Sequence, residues 1–142
     1  PKLRLKVAGG GLPATFKKSW NQYENVELLG FVDDIAPFYE ECICVIAPLY
    51  IGSGSCIKVL EALYAGRVCL ATPHAVRGID VADCNCNNGL FVFSNKEELL
   101  EKMAYVFDRQ SRRECQKGAY AFVSSRYSQA RVDQAIAQTF GK

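Results

Sequence analysis

The chain has 142 residues, of which 49% are hydrophobic, so it is long and apolar enough for one domain with a core, which argues against disorder. Its 17 basic and 15 acidic residues give a net charge of +2, which argues against a polyanion such as nucleic acid as a partner. A small basic cluster at Arg109, Arg112 and Arg113 is interpreted as the solvated face of a helix. No apolar run approaches the roughly 20 residues of a membrane-spanning helix.

Five short apolar runs are predicted to be β-strands, at residues 3–7, 26–32, 42–47, 68–72 and 90–93. The runs at 42–47 and 68–72 are apolar throughout, which is typical of strands covered on both faces. Helices are predicted between and after the strands, at 14–23, from Asp33 or Asp34 to Glu41, at 56–65, after Ser94 or Asn95, at 112–124 and at 129–140. This alternation predicts an α/β fold, a parallel sheet with helices on both faces.

Two glycine-rich loops follow predicted strands, at the edge where open α/β sheets bind ligands. The first, at residues 9–11, lacks the spacing of a dinucleotide-binding fingerprint and gains meaning only beside the second. The second, at residues 52–55, leads into a helix for which Ser55 is the predicted N-cap. The free amides of the first helical turn, the helix dipole and Lys58 together favour a diphosphate ligand.

Glu61 lies one turn further into the same helix, and helical side chains lean toward the N-terminus. A carboxylate at this position suits the vicinal hydroxyls of a ribose, because it accepts hydrogen bonds in pairs. The alternative is a minor surface pair with Lys58, three residues earlier. The helix is otherwise apolar from residue 59 to 65, and a carboxylate in such surroundings needs a partner. The local sequence leaves both interpretations open.

The remaining reactive side chains give weaker signals. Asp33 and Asp34 are candidate catalytic carboxylates, but helix capping is the preferred interpretation. The seven cysteines are an odd number, which favours a reducing cytoplasm and cysteines that act as small apolar residues. Cys84 and Cys86 are separated by one residue, too few for a usual zinc site, so no metal is predicted. His74, the one histidine, is assigned no function.

The segment from residue 52 to 66, GSGSCIKVLEALYAG, resembles the donor-binding segment of the retaining glycosyltransferase group 1 family, which has the GT-B fold. Further segments resemble the same family in the same order, and they lie at residues 7–11, 29–33, 68–72, 77–78 and 126–128. The resemblance covers nearly the whole chain. It implies that residues 1–142 are a single nucleotide-sugar-binding domain with a Rossmann-like fold, the C-terminal part of a larger two-domain enzyme.

The resemblance also implies roles for individual residues. Glu61 is expected to hold the ribose hydroxyls and Lys58 to face the diphosphate or the sugar, and these two are the predicted catalytic residues. The other expected donor contacts are Gly10 and Gly11 on the phosphate side, Phe31, Val32 and Asp33 near the base, and Ser53, Gly54 and Ser55 near the diphosphate or sugar. Many family members carry a glutamate at the position of Ser53, so the contacts to the sugar hydroxyls depart from the usual pattern.

By the same resemblance, the reaction transfers a sugar from a nucleotide-sugar, most often of UDP or GDP, to a sugar or lipid-linked acceptor held by an N-terminal domain. No cofactor or metal is implied. Bacterial polysaccharide or cell-envelope synthesis is the expected setting, in the cytoplasm or at the inner face of the membrane. Two alternatives remain, a sugar-nucleotide epimerase of the same fold and a non-catalytic nucleotide-binding or scaffolding domain. A dehydrogenase is disfavoured by the incomplete fingerprint.

Overall fold

The computed structural model describes residues 3–52 and 57–127 of the chain. These residues belong to two compact units, and the chain passes from the first to the second between Phe38 and Tyr39. Parallel strands alternate with helices in both units, as the sequence predicts. The helix predicted at residues 129–140 and the predicted N-cap Ser55 lie outside the described residues.

The first unit contains two parallel strands joined by a helix. Strand β1 (Leu5–Ala8) is followed by α1 (Ala14–Trp20) and by β2 (Val26–Gly30), which pairs with β1 in parallel. Helix α2 (Ala36–Glu41) begins after Asp34, whose carboxylate accepts a hydrogen bond from the Ala36 backbone N–H at 3.0 Å. This confirms the capping role predicted for an aspartate at this point.

The second unit is built on a three-stranded parallel sheet. Its strands are β3 (Cys44–Ala47), β4 (Val68–Ala71) and β5 (Leu90–Val92), with β4 in the centre. All four residues of β4 are fully buried. This explains why the run is apolar throughout and shows no alternation.

Three helices accompany this sheet, α3 (Ile57–Tyr64), α4 (Lys96–Phe107) and α5 (Arg109–Arg126). The Asn95 side chain caps α4 by accepting a hydrogen bond from the Glu98 N–H, as predicted. Helix α5 begins three residues earlier than the prediction of 112, because the Asp108 side chain caps it through the Ser111 N–H at 2.8 Å. The interval between β4 and β5 contains short 3-10 turns at Val81–Asp83 and Cys86–Asn88.

Helix α5 is tied to these 3-10 turns by charge and by a covalent bond. Arg126 forms a two-pronged ion pair with the buried Asp83, with nitrogen–oxygen distances of 2.6 and 2.9 Å. Cys86 forms a disulfide with Cys115, with the two Cα atoms 4.9 Å apart. The sequence analysis expected a reducing cytoplasm and cysteines that act as small apolar residues, and for these two cysteines the structure shows a disulfide instead. Their separation of 29 residues did not identify them as partners.

Gly118 lies where α5 comes closest to the 3-10 turn at Cys86–Asn88. A Cβ atom at this position would overlap the backbone carbonyl of Asn87. The contact is with backbone rather than with a flexible side chain, so it cannot be relieved by a rotamer change. The close approach of the two elements therefore requires glycine here, although glycine weakens a helix by about 1 kcal/mol relative to alanine.

We therefore expect Gly118→Ala to destabilise the protein by about 3 kcal/mol, in the upper part of the range for overpacked sites. This loss exceeds the gain from the better helix propensity of alanine. Chemical denaturation followed by circular dichroism measures this free energy of unfolding. The matched control is Lys117→Ala, at the neighbouring exposed position of the same helix. Equal stability of the two variants would show that α5 does not approach the turn this closely.

Candidate functional site

The structure places the predicted site residues of the first unit at the carboxyl edge of its sheet. Gly10 and Gly11 follow β1, and residues 31–33 follow β2. The two segments are neighbours, because the Gly9 N–H donates to the Gly30 carbonyl at 2.7 Å. Gly10 and Gly11 are exposed, and the Phe31 side chain is 80% exposed. A contact surface is thus open at this edge.

In the second unit, the loops after β3 and β4 are joined by hydrogen bonds. The buried Thr72 donates its hydroxyl to the Leu49 carbonyl and its N–H to the Ala47 carbonyl. Further along, the Gly52 carbonyl is within 3.2 Å of His74 Nε2 and 3.0 Å of Arg77 Nη2. The loop after β4 therefore holds the loop after β3 at two places, near the start of that loop and at Gly52.

His74 and Arg77 also contact each other, because Arg77 Nε donates to the His74 carbonyl at 3.0 Å. The backbone of Gly52 has φ of +132°, a conformation that other residues rarely adopt. The sequence analysis gave His74 no role, and the structure gives it this contact with the glycine-rich loop. Ser53, Gly54 and Ser55 lie outside the described residues, so their predicted contacts stay predictions.

Helix α3 carries the two predicted catalytic residues. Lys58 is exposed in its first turn, and Glu61 is half-buried one turn later. Glu61 Oε2 accepts a hydrogen bond from the hydroxyl of Tyr39, at 3.1 Å. The sequence analysis expected a carboxylate here to need a partner, and it named Lys58 as one candidate. The partner in the structure is Tyr39, which the sequence analysis missed because it lies 22 residues away.

Tyr39 belongs to α2 and is only 6% exposed. Burial raises the pKa of its hydroxyl above the usual tyrosine range, and the hydrogen bond to Glu61 and the charge of Glu61 raise it further. The hydroxyl therefore keeps its proton at physiological pH. It acts as a hydrogen-bond donor to the carboxylate.

Two absences concern the described residues, 3–52 and 57–127. Within these ranges, no three His, Cys, Asp or Glu side chains are grouped so that they could hold a metal ion. In the same part of the chain, no helix combines the length and apolar character needed to cross a membrane.

Comparison with protein families identifies the family of the chain. The family model described as glycosyl transferases group 1 matches residues 1–109. The chain belongs to this family. The resemblance noted in the sequence is therefore confirmed. No curated protein gave a significant match to this chain.

Solved structures with the same architecture agree with this membership. The Anabaena protein Alr3699/HepE, solved with UDP and glucose, has a TM-score of 0.80 and 19% identity, over 98% of this chain and 40% of its own. WaaG, a glycosyltransferase involved in lipopolysaccharide biosynthesis, has a TM-score of 0.74 and 20% identity, over 98% of this chain and 38% of its own. The similarity confirms the Rossmann-like α/β fold, and the chain spans about two-fifths of the length of these structures.

The environment of Tyr39 leads to a prediction at alkaline pH. An unfolded tyrosine ionises near pH 10, whereas the folded Tyr39 keeps its proton to higher pH. Its contribution to stability is thus fully present below pH ~10 and is lost as the pH rises further. In a spectrophotometric titration of the seven tyrosines, we expect Tyr39 to ionise only when the protein unfolds. In Tyr39→Phe, one tyrosine fewer should ionise in the step that accompanies unfolding. One tyrosine fewer in the reversible ionisation at lower pH would contradict the prediction.

Proposed function

We propose that this chain binds the nucleotide-sugar donor of a glycosyltransferase. The observation that carries the proposal is the position of Glu61, one turn into the helix that follows the glycine-rich loop, with its carboxylate held by Tyr39. Membership in the group 1 family supports this use of the carboxylate. It also favours sugar transfer over the epimerase, dehydrogenase and scaffolding alternatives.

The carboxylate of Glu61 accepts hydrogen bonds from the two ribose hydroxyls in this proposal. It has capacity for them, because a carboxylate has about four lone-pair sites and Tyr39 uses one. Lys58 lies one turn nearer to the glycine-rich loop and is exposed, so its ammonium group is available to a diphosphate. As the bond between sugar and diphosphate breaks, negative charge grows on the leaving diphosphate, and Lys58 stabilises it.

The proposal extends to a whole enzyme of two domains. This chain corresponds to about 40% of the length of the HepE structures, so the acceptor is assigned to a further N-terminal domain. The acceptor is then a sugar or a lipid-linked sugar in bacterial polysaccharide or cell-envelope synthesis, on the cytoplasmic side of the membrane. Transfer with retention of configuration and without a separate cofactor completes the proposal. UDP is the first donor nucleotide to test, because HepE has been solved with UDP and with UDP-glucose.

Calorimetric titration with UDP, GDP, ADP and CMP tests this proposal. We expect saturable binding of one nucleotide, weakened about tenfold or more in Glu61→Ala, since hydrogen bonds to a charged acceptor contribute about 1.5–3 kcal/mol. The control is Glu101→Ala, an exposed glutamate of α4. Equal binding by Glu61→Ala and the wild type would exclude Glu61 as the ribose ligand. Absence of binding by every nucleotide to the protein in its full natural length would refute donor binding itself.

The contacts at Gly52 lead to a second prediction. The double variant His74→Ala, Arg77→Ala removes both side-chain groups from the Gly52 carbonyl. If the glycine-rich loop holds the diphosphate, the variant should bind UDP about tenfold more weakly, the loss of roughly one charge-assisted hydrogen bond. Its affinity for uridine, which has no phosphate, should not change. An equal loss for UDP and uridine would show that the contacts support the fold rather than the phosphate site.

A further inference from the structure

We propose that Tyr39 is a positioning residue for Glu61, holding its carboxylate in the orientation in which it receives the ribose of the donor. The inference rests on the ribose-binding role proposed for Glu61 and adds a second residue to it. The juxtaposition that carries it is the hydrogen bond from the Tyr39 hydroxyl to Glu61 Oε2, between α2 and α3.

The two side chains are held to different degrees. The ring of Tyr39 is almost completely buried, so its hydroxyl has a fixed place. Glu61 is half-buried, on a helix whose other inward residues Val59, Ala62 and Leu63 are fully buried. A glutamate side chain loses rotamer freedom when it is ordered, and this loss of entropy opposes ligand binding. The hydrogen bond from Tyr39 orders the Glu61 side chain before the ligand binds, so the ribose contacts a carboxylate that is already oriented.

The hydrogen bond also divides the carboxylate between two uses. Tyr39 donates to Oε2, and a carboxylate has about four lone-pair sites, so it has the capacity to accept hydrogen bonds from a pair of vicinal hydroxyls as well. Burial, the hydrogen bond to Glu61 and the charge of Glu61 raise the pKa of Tyr39, so its hydroxyl is protonated at physiological pH and acts as the donor. Because Tyr39 only donates, it orients the carboxylate of Glu61 without accepting hydrogen bonds from the ribose hydroxyls.

A purely structural role for the same hydrogen bond makes a different prediction. If Tyr39 only joins α2 to α3, its loss lowers stability but affects all nucleotides alike. If it positions Glu61, its loss selectively weakens recognition of the ribose hydroxyls. The ratio of affinities for UDP and 2′-deoxy-UDP separates the two roles, because these ligands differ only in one ribose hydroxyl. If guanine is the base that binds, GDP and 2′-deoxy-GDP serve in the same way.

The experiment compares this ratio in four forms of the protein in its full natural length: wild type, Tyr39→Phe, Glu61→Ala and the control Tyr120→Phe. Tyr39→Phe keeps the buried ring and removes only the hydroxyl; Tyr120 is an exposed tyrosine of α5. We expect a ratio of about ten or more for the wild type and the control, and about three or less for Tyr39→Phe and Glu61→Ala. Thermal melts verify that each form is folded.

Each outcome has one meaning. A wild-type ratio near one would refute the proposed role of Glu61, and the inference with it. A low ratio in Glu61→Ala with a wild-type ratio in Tyr39→Phe would overturn the inference and leave the role of Glu61 intact. If Tyr39→Phe does not fold, 4-fluorophenylalanine at this position keeps the approximate size of tyrosine and cannot donate a hydrogen bond. A low ratio in this variant then supports positioning, and a ratio equal to that of the wild type overturns it.

Discussion

The second unit depends on the parallel pairing of β4 with a strand on each side. Because β4 is fully buried, water cannot satisfy its backbone N–H and C=O groups, and β3 and β5 must do so. This pairing brings the carboxyl ends of β3 and β4 to the same edge, where Thr72 donates to the Leu49 and Ala47 carbonyls. The sheet and these hydrogen bonds therefore fix the position at which the second glycine-rich loop begins.

The same requirement, that buried polar groups find partners, links the fold to the candidate site. Tyr39 buries a hydroxyl and Glu61 partly buries a carboxylate, and each satisfies the other. At the end of α5, the buried carboxylate of Asp83 is satisfied in the same way, by two contacts with the guanidinium of Arg126. The contact between Tyr39 and Glu61 differs in one respect: the carboxylate keeps capacity for a ligand.

Local patterns predicted most of the secondary structure. Apolar runs and glycines identified the five strands, and Asp34 and Asn95 marked helix starts because capping acts over two or three residues. The start of α5 was placed too late because a capping interaction of Asp108 was not recognised. The candidate helix α3 and the position of Glu61 within it also followed from local sequence.

Contacts between distant segments could not be predicted in this way. The partner of Glu61 lies on another helix, the contact of His74 with Gly52 joins two loops, and the disulfide joins a 3-10 turn to a helix. None of these follows from periodicity or spacing, because only the tertiary fold brings the residues together. The need for glycine at 118 is of the same kind, since it arises from a carbonyl on another element.

The disulfide between Cys86 and Cys115 has a further consequence. It closes a covalent ring that contains the whole of β5 and α4 together with the first part of α5. A single backbone cleavage inside this ring opens the chain without separating its parts. Both ends of the cut polypeptide stay attached through sulfur, so a protein nicked between residues 86 and 115 would migrate as one species until a reductant is added.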